Sequence, residues 1–145
     1  MTKKRFTKWK QPTFDKNDTT QWNWMCQHHK NLKLGNFVDI GAFTYINAKK
    51  GVTMGDYVQI GSHCSLYSVS TIDNKEGNII LKKNCCVGTH SVVMPGVTIG
   101  ENAVIGAFSF VNTDIPDNTL AYGIPAKKIR KLTKKEIEEL CEAMK

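Results

Sequence analysis

One period runs through this chain, and it belongs to neither a helix nor an ordinary strand. Aliphatic residues recur every six positions at Leu34, Ile40 and Ile46. After two extra residues they resume at Met54, Ile60 and Leu66, and after the excursion TIDNKEGNI at Leu81, Val87, Val93, Ile99, Ile105 and Val111. A helix repeats near 3.6 residues and a strand near 2.0, so a sustained hexad marks a repeat unit rather than a single element. Glycine follows the marker at Gly35, Gly41, Gly55, Gly61, Gly88, Gly100 and Gly106, as a tight bend with close packing requires. The period predicts an all-β solenoid of short parallel strands, with three hexads closing a triangular coil and each marker pointing into the shaft. About four coils follow, at 34–53, 54–71, 81–98 and 99–116. Small residues four beyond the marker (Thr44, Cys64, Ser91, Ala103, Ser109) suit a tapered interior. Coils gain stability by stacking, since one alone cannot bury its apolar side.

The ends lie outside this register. Residues 1–33 hold all three tryptophans and read as an arm whose aromatics dock on the main body. The solenoid occupies 34–116 with a loop at 72–80, and 117–145 form an exit segment and a short C-terminal α-helix. Pro116 and Pro125 break regular structure, and Thr133 with Glu136 reads as a capping box. The helix that follows is expected to bury Ile137 and Leu140 and to cover the last coil.

Composition narrows the partners. The length of 145 residues suits one domain, and the net charge of +7, concentrated near both ends, suits an anionic small molecule. Neither nucleic acid nor a membrane is the expected partner, and nothing approaches the roughly 20 apolar residues of a membrane span. Five cysteines without a CxxC pair, and no recognisable leader, point to the cytoplasm and away from a zinc knuckle. His28 and His29 lack a third neighbouring ligand, and no metal is expected, although a three-histidine ring across subunits stays open.

The register also places residues that the linear sequence separates. Three beyond the marker, at one corner, stand Phe43, His63, His90 and Phe108 in successive coils. Stacked coils lie about 4.8 Å apart, so His63 and His90 are expected side by side and facing outward. They read either as surface or interface residues or as a general base, since imidazole accepts a proton near neutral pH. The other corners carry Phe37, Tyr57, Asn84 and Asn102, and then Lys49, Val69, Gly96 and Asp114. Tyr67 opens the long loop, whose Asp73, Asn74 and Glu76 are candidates to overhang the histidines and contact substrate. Of Cys85 and Cys86, one is expected to face inward.

The stretch VVMPGVTIGENAVIGAFSFVNTDIPDNTLAYGIPAKKIRKL, 92–132, resembles the last coils and exit segment of the hexapeptide-repeat acyltransferases, in their sugar or sugar-nucleotide acetyltransferase branch. The resemblance implies a left-handed parallel β-helix, a homotrimer, and acetyl-CoA in a groove between adjacent prisms. It places Ala103, Gly106 and Ala107 along the coenzyme channel and Lys127, Lys128 and Arg130 near the coenzyme's phosphates. Three departures stand out. Ile124 replaces an asparagine, Phe108 and Phe110 add bulk, and YSVST at 67–71 lacks the histidine of YTAGH in the simple-sugar branch. The expected function is therefore an acetyl-CoA-dependent N-acetyltransferase on a nucleotide-linked amino sugar, in surface-glycan or lipopolysaccharide synthesis, with His63 or His90 taking the proton. The alternatives are an O-acetyltransferase on a simple sugar or glycan, and a solenoid adaptor without catalysis.

Overall fold

A computed structural model describes residues 8–142. Three flat faces of parallel strands wrap one shaft. The first face stacks Leu32–Leu34, Val52–Met54, Ile79–Leu81 and Thr98–Ile99; the second stacks Asp39–Ile40, Gln59–Ile60, Cys86–Val87, Val104–Ile105 and Thr119–Gly123. The third stacks Met25–Gln27, Tyr45–Asn47, Ser65–Tyr67, Val92–Val93 and Phe110–Val111. Pairing is marker on marker: Ile46 opposite Leu66, Leu66 opposite Val93, Val93 opposite Val111. Those four side chains are 0% exposed, and the small residues Thr44, Cys64, Ser91 and Ser109 before them, and Ala103 before Ile105, are buried too. Burying each aliphatic side chain contributes roughly 1.5–3 kcal/mol, which is why the hexad reads so clearly in the sequence.

The structure corrects three expectations at the ends. The shaft begins below residue 34, because Met25–Gln27 pairs under Tyr45–Asn47 and Cys26 is buried beneath Ile46. It also continues above Val111. Ile115 bridges Ile99 and Ala121 sits opposite Ile105, so the coil has merely dropped two residues at a corner. Finally, a strand and not the helix closes the second face. Ala126–Lys131 folds back antiparallel on Thr119–Gly123 and satisfies edge backbone groups that a helix could not reach. The helix α1, Lys134–Glu142, has no fully buried residue. Its capping box is present: the Glu136 N–H donates to Thr133 Oγ1 at 3.2 Å and the Thr133 N–H donates to Glu136 at 2.7 Å.

The corners carry the unusual backbone. Phe37, Tyr57, Asn84, Asn102 and Asn118 turn between the first and second faces, and Phe43, His63, His90 and Phe108 between the second and third, all with φ between 54° and 64°. L-residues enter this left-handed region at a cost of about 1–2 kcal/mol, asparagine more readily than most. From Tyr57 and Phe43 upward these corner residues each donate a backbone hydrogen bond to the chain below, as when the His90 N–H donates to Ser62 O at 3.1 Å and the Phe108 N–H to Thr89 O at 2.9 Å.

Candidate functional site

Two of these corners solve the same backbone problem with different side chains. Between the first and second faces, Asn84 Nδ2 donates to Asn102 Oδ1 at 2.8 Å and Asn102 Nδ2 to Asn118 Oδ1 at 2.9 Å. Asn84 and Asn102 are buried, and this amide ladder is a structural device. Between the second and third faces the rungs are Phe43, His63, His90 and Phe108, whose rings follow one another at 5.2, 4.8 and 4.9 Å. The rings of His63 and His90 are stacked nearly parallel, 6° apart, and both are exposed. Phe43 and Phe108, at 66% and 63% exposure, lie open at the two ends. The first corner also holds two stacked aromatic rungs, Phe37 and Tyr57 at 5.1 Å, but half-buried; here histidine and phenylalanine keep the same strained backbone out in solvent, and such outliers concentrate at functional positions.

The residue before each rung differs too: Ala42, Ser62, Thr89, Ala107. Only the two imidazole rungs are preceded by hydroxyls. Thr89 Oγ1 donates to Ser62 O at 2.7 Å, lies 3.2 Å from Ser62 Oγ, and is 2.9 Å from His90 Nδ1. Behind the ladder, inside the shaft, small polar side chains stitch the coils together. Thr44 Oγ1 donates to Gly61 O at 3.0 Å, and Ser91 and Ser109 both donate to Gly106 O, at 3.2 and 2.7 Å. Burial pushes the Cys64 thiol up, so it is a packing group. Cys85 is the inward member of its pair and its thiol is raised further by burial and by Cys86.

The long loop lies at the other end of the third face. Tyr67 ends its strand beside Tyr45, ring centroids 5.5 Å apart, and Val69–Ser70 and Lys75–Glu76 then form a small antiparallel hairpin at the corner leading to the first face. Within one chain, then, the loop leaves from the corner opposite the histidines and does not overhang them. Asn74 sits at its turn with φ 54°. Asp73 lies 3.5 Å from Lys75, and a hydrogen bond from Ser70, then the Lys75 charge, hold its carboxyl below the usual range. Glu76 lies 3.3 Å from Lys50.

The upper residues separate into supports and contacts. Ala103 is buried, its carbonyl accepts from the Cys86 N–H and its N–H donates to Gly100 O, so it can shape a channel but has nothing to offer a ligand. Gly106 is half-buried against Tyr122, where an added Cβ would come within 2.9 Å, and Ala107 is exposed next to Phe108. Lys127 and Lys128 are exposed on the capping strand, whereas Arg130 is engaged by Glu136 through two bonds of 2.8 and 2.7 Å.

A further feature went unread in the sequence. The arm and the lowest coil enclose an apolar cleft of about 780 Å³ lined by Trp9, Trp22, Trp24, Leu34, Val38 and Ala42 among others. Trp9 is fixed there by donating Nε1–H to Val38 O at 2.8 Å. The cleft ends at the foot of the ladder, where Ala42 O accepts the His63 N–H. The gathering of all three tryptophans before the first coil was its only signal. His29 stacks on Phe14 at 4.1 Å instead of facing a second histidine, and among the described residues no three metal-ligating side chains converge. No helix among them is long and apolar enough to cross a membrane.

The fold defines the class, a parallel β-solenoid, and comparison with known proteins shows what it is similar to. The bacterial transferase hexapeptide (six repeats) family matches residues 78–113. A dTDP-4-amino-4,6-dideoxy-D-glucose acyltransferase from Escherichia coli is 30% identical over 123 residues, covering 74% of this chain and 64% of that protein. The galactoside O-acetyltransferase of Escherichia coli K12 is 39% identical over 94 residues, 59% of this chain and 46% of that one. In structure, a hexapeptide-repeat acetyltransferase from Vibrio cholerae, solved with acetyl coenzyme A, superimposes with a TM-score of 0.73 at 29% identity, covering 77% of this chain and 66% of the other. The chain is similar to the hexapeptide-repeat acyltransferases, carrying their repeat over residues 78–113 and sharing their parallel β-helix fold. It spans 46% and 64% of the length of the two curated relatives just described.

Proposed function

We propose that this protein is an acetyl-CoA-dependent N-acetyltransferase whose acceptor is a nucleotide-linked amino sugar. The observation that carries the reading is the exposed His63–His90 stack, held in strained backbone at a corner whose rungs stand in solvent, whereas the equivalent rungs of the first corner are half-buried aromatics, Phe37 and Tyr57, and then hydrogen-bonded asparagines. The similarity to an acyltransferase of a dTDP-linked amino sugar extends over 123 residues and supports the acceptor class. The chemistry asks little of the protein. The neutral amine attacks the thioester carbonyl and forms the C–N bond while the π electrons move to oxygen. An imidazole of the pair takes the N–H proton. Collapse breaks the C–S bond, the amide carbonyl re-forms, and the proton passes to the departing sulfur, giving CoA thiol.

Assembly completes the site in this reading. Phe43 and Phe108 expose apolar rings at both ends of the ladder, which suits a second prism alongside, and a homotrimer provides three such grooves. The loop bearing Asp73 and Asn74 then meets the histidine corner of a neighbouring copy, the far end of its own third face being out of reach. Acetyl-CoA fits beside Gly106 and Ala107, with Lys127 and Lys128 as the free cations for its phosphates and Arg130 serving through Glu136 to set the exit segment.

The test is thiol release from acetyl-CoA against a panel of amino-sugar nucleotides, plain amino sugars and simple sugars. Turnover is expected with the amino-sugar nucleotides, and alanine at the responsible histidine is expected to lower kcat by about 10²–10⁴-fold, the usual worth of a general base. Preferred turnover of hydroxyl acceptors would move the protein to the O-acetyl branch, and no thiol release with any acceptor would leave an adaptor.

A further inference from the structure

The two histidines differ in one respect that decides their chemistry. The described residues give the imidazole of His63 ring contacts with Phe43 and His90, and no hydrogen bond to either ring nitrogen. His90 is stacked between His63 and Phe108, and its Nδ1 also lies 2.9 Å from Thr89 Oγ1. A threonine hydroxyl has one proton and two lone pairs. The carbonyl of Ser62, 2.7 Å from Thr89 Oγ1, can only accept, so the proton of Thr89 is directed there. Thr89 Oγ1 is then left with lone pairs, and the partner at His90 must be the donor. Its second lone pair faces Ser62 Oγ at 3.2 Å.

We infer that Thr89 is a positioning residue that holds neutral His90 in the Nδ1–H tautomer and so makes its Nε2 the proton acceptor of the site. This rests on the acetyltransferase reading for its catalytic meaning, and the tautomer stands independently of it. When Nε2 takes the amine proton, Nδ1–H still donates to Thr89, so the imidazolium forms without any rearrangement of the relay. His63, lacking such an anchor, supports His90 by stacking. The relay spans two coils: residues 62 and 89 touch only because the loop and one coil between them return the chain to the same corner. It also explains why hydroxyls precede the two histidine rungs whereas alanines precede the two phenylalanine rungs.

The experiment pairs a spectrum with kinetics on the whole protein. Long-range ¹⁵N–¹H correlation of the imidazoles at pH 8, with His90 assigned through His90→Asn, is expected to show a protonated Nδ1 and a bare Nε2. Thr89→Val is expected to abolish that pattern and to lower kcat by about 10²-fold, within the range of a lost general base, with KM for acetyl-CoA unchanged. Thr89→Ser, which keeps the hydroxyl, restores both. A protonated Nε2 at His90 in the unmodified protein, or an unchanged tautomer in Thr89→Val, overturns the inference. So does an unimpaired rate in Thr89→Val. If no acceptor is turned over while the Nδ1–H pattern is present and depends on Thr89, the acetyltransferase reading fails and the tautomer assignment is supported.

Discussion

Gly61 and Gly88 sit immediately before the hydroxyl rungs, and their lack of a side chain sets how closely those rungs approach. A Cβ on Gly61 would lie 2.6 Å from the Thr89 backbone nitrogen, and one on Gly88 2.5 Å from that of Ala107. The clash is with backbone, so nothing can swing aside. Gly88→Ala is expected to cost about 1–3 kcal/mol, the range for overpacking a filled site, measured as a shift in the urea midpoint. Gly61→Ala, which pushes directly on Thr89, is expected to weaken the Thr89–His90 contact as well, visible in the same imidazole spectrum. Gly96 offers a contrast: open space surrounds it, and only its φ of +78° opposes a side chain.

At the scale of elements, the exit segment shows two devices doing separate jobs. The strand Ala126–Lys131 closes the second face, and α1 hangs beyond it through the Arg130–Glu136 pair and the Thr133 cap. Arg130 first, then the Thr133 N–H, hold the Glu136 carboxyl at about 2, against an ordinary 4.5. A depressed folded value means that the unfolded chain binds the proton more readily. The stabilisation of this turn is therefore complete above about pH 4.5 and fades as the pH falls toward 2. An NMR titration of the Glu136 carboxyl and the Thr133 amide is expected to follow that window, and Arg130→Gln to move it upward. Thr133→Ala is expected to loosen the helix by about 0.5–2 kcal/mol, the usual worth of an N-cap. Because α1 buries no residue fully, amide exchange should quicken in 134–142 and stay unchanged at Cys86–Val87 and Val92–Val93.

The whole molecule behaves as stacked coils around one shaft, and its buried thiols report on that shaft. Cys26 is pushed up to about 12 from 9.0, by burial and then by Asp18, and Cys64 and Cys85 are also raised by burial. The folded chain keeps these groups protonated while the unfolded chain ionises them. The stability they confer is thus complete below pH 9 and is lost as the pH rises from 9 toward 12. The urea midpoint is expected to fall above pH 9, and Cys85→Ala to flatten that fall. Assembly is tested by sedimentation equilibrium, where a trimer has three times the chain mass of 16.3 kDa. Phe108→Asp is expected to dissociate it and leave the coil's circular dichroism intact.

The hexad of markers determined the shaft, the three faces, the corner ladders and the pairing of His63 with His90, because a strict period converts sequence distance directly into stacking. Period alone could not find the strand Met25–Gln27, which has no glycine after it and whose Cys26 lies outside the six-residue frame of Leu34, Ile40 and Ile46, or the two residues dropped before Ile115. Nor could it choose strand over helix for the cap, since the unpaired edge that selects a strand exists only once the last coil is built. The same limit holds at the site. That two histidines would meet was written in their spacing; that Thr89 faces Ser62 O at 2.7 Å and His90 Nδ1 at 2.9 Å, the contacts on which the proposed tautomer rests, depends on ångström distances between coils that only the folded chain brings together.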